Sequence, residues 1–313
     1  MFPLNWVYCF FCQLLNRNMN VHTSYWLLAG LLLWAGFVGC EQDFSHQILP
    51  PYPGDRLVLN AWLNPHQPLE VQLLHSLPPL APADTLPVVA HARIKLFEAG
   101  IFIDTLRYSD SGRYSLRPAF YVQPGKAYHF EVEAEGFPSV TSHPELVPLR
   151  YPILETHHLD SLFPCSGCPA PYNAAQIIWK APQKHYLRVN YRGEFNGESQ
   201  GLGSQSFMIP NPSEASICAT GEIWQNLPCL KEDVFVLFSP LTDYLSVQGT
   251  PHYYEHISAQ IQFISSSYYS FLVSQQQPGD LERIFLYPNN IFSNIDGGYG
   301  LVAGVNDTLV DFP

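Results

Sequence analysis

Charge is scarce in this chain. Asp, Glu, Lys and Arg make up 13% of its 313 residues, against roughly 25% in an average globular protein. Basic residues are the rarer kind, 15 against 27 acidic, for a formal net charge of −12 and no Lys/Arg block. A phosphate-tracking surface needs such a block, so nucleic acid is excluded as a partner. Also missing are Gly-x-Ser-x-Gly, His-Glu-x-x-His, the P-loop and a Gly-x-Gly-x-x-Gly opening a helix, the signatures of common hydrolase, metalloprotease and nucleotide sites. No catalytic residue, metal or cofactor is expected, and the chain reads as a non-enzyme. No apolar run reaches the roughly 20 residues that a membrane-spanning helix needs.

A shorter run is present. Leu27 to Val38 is apolar and uncharged, ends in Gly39-Cys40, and is followed by Glu41-Gln42-Asp43. Its length fits the apolar region of a secretory signal, and small residues suit a cleavage site. Phe37-Val38-Gly39-Cys40 resembles a bacterial lipobox, with Phe37 where leucine is usual. That resemblance implies cleavage before Cys40 and lipidation of Cys40; a plain signal peptide or a signal anchor is the alternative. Residues 1–39 are therefore read as a leader, with Met19 as a possible true start. Residues 40–47 are read as a lipid-anchored tether, held to the membrane by Cys40. Glu41 and Asp43 resemble the acidic export signal of surface-exposed lipoproteins, which favours the outer membrane facing outward over a periplasm-facing anchor.

The rest is rich in proline (28), glycine (20) and aromatics (14%), a composition that favours short strands and turns. Leu69-Glu70-Val71-Gln72-Leu73 alternates as a half-buried strand should. Tyr128 to Glu135 is clearer still: Tyr128, Phe130, Val132 and Ala134 share one face, while His129 and three glutamates share the other. Those glutamates read as a solvated sheet face in preference to a cation site. The spacing of six or seven short strands predicts a β-sandwich over 48–150 and a second β-rich domain over 151–313. The fold class is thus all-β, two sandwich-like domains with at most one or two short helices. Tyr268 to Val273 either continues a strand or forms such a helix, because Tyr269, Leu272 and Val273 share a helical face. Trp62, Trp179 and Trp224 read as core filling in preference to a sugar-stacking platform.

Four cysteines follow Cys40: Cys165, Cys168, Cys218 and Cys229. In an exported protein an even count reads first as disulfides. Pro164 and Pro169 flank Cys165-Ser166-Gly167-Cys168, and no helical pattern follows, which disfavours a redox dithiol. Zinc bound with help from His157, His158 and Asp160 is the alternative, though Cys218 and Cys229 are not a close pair. Two disulfides joining Cys165 and Cys168 to Cys218 and Cys229 fit best.

Gly112-Arg113-Tyr114, Pro124 to Tyr128 and Val132 to Phe137 resemble transthyretin-like or carboxypeptidase-regulatory sandwich modules, which are structural and interaction units. Phe292-Ser293-Asn294-Ile295-Asp296-Gly297-Gly298-Tyr299-Gly300-Leu301-Val302-Ala303-Gly304 closely resembles the SNIENGLGIFGG ending of DUF4249, a family of Bacteroidota outer-membrane lipoproteins. Arg56 to Asn60 and Ile261 to Tyr269 are similar to the same family; its acidic DELFNGK patch is absent. The ending reads as a turn sealing the last strand, or as a contact loop. The resemblance implies an accessory role beside a TonB-dependent transporter in nutrient uptake; a surface binding or adhesion module is the alternative. Asp84-Thr85-Leu86, Asp104-Thr105-Leu106, Asp160-Ser161-Leu162 and Asp307-Thr308-Leu309 resemble Bacteroidota O-glycosylation acceptors.

Overall fold

Strands begin at once in the computed structural model, which describes residues 54–78, 87–162, 172–215, 228–241, 244–247, 250–275 and 291–313. The leader, Cys40 and the tether lie outside these residues. In the first half run β1 (Leu57–Leu63), β2 (Glu70–His75), β3 (Ala92–Glu98), β4 (Ile101–Tyr108), β5 (Arg113–Ser115), β6 (Ala127–Ala134), β7 (Val140–Ser142) and β8 (Glu145–Leu146). There follow β9 (Ile153–Leu162), β10 (Tyr172–Trp179), β11 (His185–Phe195), β12 (Glu198–Ile209), β13 (Cys229–Lys231) and β14 (Val234–Leu241). The rest comprises β15 (Tyr244–Val247), β16 (Thr250–Tyr253), β17 (His256–Ile264), helix α1 (Ser266–Gln275), β18 (Ile295–Asp296) and β19 (Tyr299–Phe312). The fold is all-β with one α-helix among the described residues.

One 13-stranded sheet has the order β12-β11-β17-β19-β1-β2-β5-β4-β3-β6-β7-β18, with β8 attached to β6. A second sheet has the order β13-β14-β10-β9, and β15-β16 form a separate pair. The alternation of β1 explains its place: Leu57, Leu59, Ala61 and Leu63 are buried, and the residues between them are not. Their partners in the first core are Val71 and Leu73 of β2, Ile94 and Leu96 of β3, and Phe130 and Val132 of β6. These strands belong to one sheet yet share one core, so the long sheet folds back on itself through β5 and β4. The second core lies between the two sheets, with Leu187, Val189, Ile261 and Phe263 facing Ile177, Trp179, Phe235 and Leu237. Each such side chain, fully buried, contributes about 1.5–3 kcal/mol by leaving water.

Strand β19 joins these parts. It runs parallel to β1, Ala61 beside Val302, and antiparallel to β17, Ile261 beside Thr308. Val302 packs in the first core and Phe312 in the second, both on the even-numbered face of one strand. Leu301, Ala303 and Val305, on the opposite face, pack with Ile264 and Tyr268 under α1. Tyr52–Pro313 thus form one compact unit. The boundary expected at residue 150 falls between residues of the two cores, while Ile295 and Val302, from the end of the chain, lie in the first.

The stretch Tyr268 to Val273 is helical; Tyr269 and Leu272 of the expected face meet the β19 surface together with Tyr268, whereas Val273 is exposed. On β6 the expected faces are present: Tyr128, Phe130 and Val132 are buried. Lys95 of β3 lies 3.4 Å from Glu131 and 3.3 Å from Glu133. The acidic face is therefore a partly exposed ion-pair surface.

The candidate binding groove

On β1, Asn60 and Trp62 point away from the first core, on the face that carries Leu301 and Ala303 of β19. Helix α1 covers that face over β19. Beside the helix, over β1, β2 and β5, it is open. The opening is a cavity of about 620 Å³ lined by Asn60, Trp62, Gln67, Pro68, Leu69, Glu70, Gln72, Arg113, Ser115, Leu116 and Ala119. This lies within the roughly 300–1,000 Å³ of small-molecule sites. Register places the lining side chains in rows: Asn60 is opposite Gln72, Gln72 opposite Arg113, and Glu70 opposite Ser115.

Trp62 forms one wall and is 50% exposed. Its ring meets that of Tyr268 at 4.9 Å and 70°, an edge-to-face geometry that positions the indole. Tyr268 is held in turn: the Ser265 hydroxyl accepts from its backbone N–H, and Arg188 donates to its phenol oxygen. Asn60 accepts the Leu301 N–H through Oδ1 at 3.2 Å, which leaves its NH₂ group toward the groove. Arg113 and Glu70 pair at 3.6 Å, both about half exposed. The site therefore combines a fixed aromatic wall, uncharged amides and a charge pair that cancels itself.

Of the three tryptophans singled out in the sequence, Trp179 is fully buried in the second core, stacked on Phe235 at 5.5 Å. Trp224 lies outside the described residues, as do Cys165, Cys168 and Cys218. Cys229 sits on β13, where it pairs with Val236. His157 is on β9 with Glu155 Oε2 3.1 Å from its Nε2, and no cluster of metal-ligating side chains occurs among the described residues. Thr105 and Thr308 are half-buried in β4 and β19, and the Asp307 carboxylate accepts from Asn64 and Gln260. Asp84-Thr85-Leu86 lies outside the described residues. The groove itself had one trace in the sequence: Trp62 shares the polar side of β1 with Asn60.

A buried polar cluster lies below α1. Glu145 is only 4% exposed and accepts from the Asn294 amide at 3.3 Å. Burial raises its pKa above the ordinary carboxylate value, opposed by hydrogen bonds from Ser265, Ser267, Asn294 and the Gly304 N–H. Asn294 also bridges Val302, accepting from its N–H at 2.9 Å and donating to its C=O at 2.8 Å. The family-like ending is thus a structural seal: it pairs β18 with β7 and starts β19 beside β1.

The family model described as "Domain of unknown function (DUF4249)" matches residues 45–309. The chain belongs to the DUF4249 family. No curated protein matches it. The match spans both cores and the groove. The three DUF4249-like stretches noted in the sequence are spatial neighbours here, since Arg56 to Asn60 enters β1, Ile261 to Tyr269 joins β17 to α1, and the ending forms β18 and β19. In the sheet they stand side by side as β17-β19-β1.

Proposed function

We propose that this DUF4249 protein is a non-catalytic lipoprotein of the Bacteroidota outer membrane, anchored through Cys40 and exposed at the cell surface. It serves as an accessory to a TonB-dependent transporter in nutrient uptake. The observation that carries the binding part of this reading is the groove over β1, β2 and β5, with its fixed Trp62 wall and polar lining. The anchor is supported by the apolar run ending in Gly39-Cys40. An exported environment is supported by the even count of four cysteines that follow Cys40.

The test is detergent extraction of the native protein from its own membrane. Intact mass is expected to show lipid on Cys40, and Cys40→Ser is expected to release the protein from the membrane. A TonB-dependent transporter is expected to co-purify. Recovery of lipidated protein without a transporter would favour the alternative, a surface binding or adhesion module that acts alone. Unmodified Cys40 would overturn the anchor.

A further inference from the structure

We propose that the β1-β2-β5 groove binds a neutral saccharide. This deepens the reading of the protein as a binder and rests on it. Three features of the groove select that ligand class.

The first is the absence of a free strand edge. β1 is paired on both sides, by β19 and β2, and β2 by β1 and β5. A peptide cannot add a strand there, so a ligand is recognised by side chains. The second is charge. Arg113 and Glu70 face each other at 3.6 Å, so neither an anion nor a cation meets an uncompensated opposite charge. An ionised ligand would also compete with a pair already made. The third is the kind of polar group present. Gln67 and Gln72 have exposed amides, and Asn60 keeps its NH₂ group for the groove. Each amide offers donors and an acceptor together, which suits hydroxyl groups that also do both.

Trp62 completes the match. A half-exposed indole on a sheet face, fixed by Tyr268, presents an apolar surface beside hydrogen-bonding groups. Sugar rings have the same division, with C–H groups on one face and hydroxyls around the rim. A flat aromatic covers the first and the amides take the second. The cavity, about 620 Å³ and open to solvent on one side, accommodates part of a longer chain.

The experiment is affinity gel electrophoresis of the full-length, detergent-extracted protein in gels cast with soluble starch, mixed-linkage β-glucan, xylan, galactomannan or polygalacturonate. Retardation by at least one neutral polysaccharide is expected, with none by acidic polygalacturonate. Trp62→Ala is expected to weaken that binding about tenfold or more, whereas Trp62→Phe retains most of it. Gln67→Ala with Gln72→Ala, both exposed and outside the cores, is expected to weaken it about tenfold, as the loss of one or two hydrogen bonds predicts. Retardation by no neutral polysaccharide overturns the proposal. So does retardation that both the Trp62→Ala and the glutamine variants leave unchanged, or retardation by polygalacturonate alone. Co-purification of a transporter is a separate readout, so failure of the sugar assignment and failure of the uptake role are distinguishable.

Discussion

Asn294 donates its side-chain amide to the Glu145 carboxylate at 3.3 Å, across 149 residues of sequence. Both side chains are buried. The contact ties the segment before β18 to β8, and the Ser265 and Ser267 hydroxyls bring the start of α1 to the same carboxylate. Three distant segments are thereby fixed by one acidic group.

That arrangement predicts a particular pH dependence. Burial is the largest influence on Glu145 and raises its folded-state pKa. Between the ordinary carboxylate pKa of about 4.3 and the raised value, the folded protein holds more protons than the unfolded chain. Stability from this group is then full at low pH and falls as pH rises through that window. Glu145→Gln is expected to flatten the dependence without loss at pH 7. Asn294→Ala, by contrast, should cost about 2–3 kcal/mol, because it leaves the buried Val302 N–H and C=O without their side-chain partner and takes one donor from Glu145. Urea midpoints for the three proteins between pH 4 and 8 decide this; a steeper slope in Glu145→Gln sinks it.

Gly300 marks the closest approach of β19 to β1. Its φ is +118°, and a Cβ there would stand 2.0 Å from the Leu59 carbonyl oxygen. Gly300→Ala is expected to destabilise by more than about 3 kcal/mol, since both backbone conformation and space forbid the methyl. Gly201, by contrast, has open space and no positive φ. Gly201→Ala should change the thermal midpoint by less than about 2 °C, a shift equivalent to about 1 kcal/mol for a chain of this size. Comparable midpoints for the two variants would remove the close-approach account of the ending.

The alternation of β2 and β6 was legible because each strand has one face buried and one exposed. The parallel pairing of β1 with β19 was not: Asn60 and Leu301 are 241 residues apart, and local pattern carries no record of such partners. The division at residue 150 follows the proline-rich segment, yet β19 serves both cores by using successive stretches of one face. Helix α1 was ambiguous for a physical reason. Its aromatic residues favour strands, and only packing on Leu301, Ala303 and Val305 selects the helix. The groove needs three strands from across 55 residues and a helix from the far end, so Trp62 alone hinted at it.

His185 gives a second pH test, of opposite sign. Trp179 donates its indole N–H to His185 Nε2 at 3.1 Å, so Nε2 is the acceptor. Nδ1 then carries the proton and donates to the Gln183 carbonyl at 2.9 Å. Burial, the largest influence, lowers the pKa of His185; a second proton would also set two donors against each other at Trp179. The unfolded chain therefore holds more protons below about pH 6.5, and stability is lost as pH falls through the lowered folded value. His185→Gln is expected to remove that acid-side loss. Tryptophan fluorescence during urea unfolding at pH 5 and pH 7 measures it, and an unchanged difference in midpoint between the two proteins overturns it.

The Lys95 contacts distinguish a solvated acidic face from a cation site. Glu131 and Glu133 are 40% and 54% exposed, and Lys95 already lies between them. Pairs this open contribute about 0.2–1 kcal/mol and are screened by salt. Lys95→Ala is expected to lower stability by no more than about 1 kcal/mol in low salt, and by less at 1 M NaCl. Millimolar calcium should leave the melting temperature of the native protein unchanged, because a dication would have to displace an ammonium already bound to both carboxylates. A calcium-dependent rise that Glu131→Gln abolishes would show that the carboxylates prefer a metal to Lys95, and the solvated-face reading would fall.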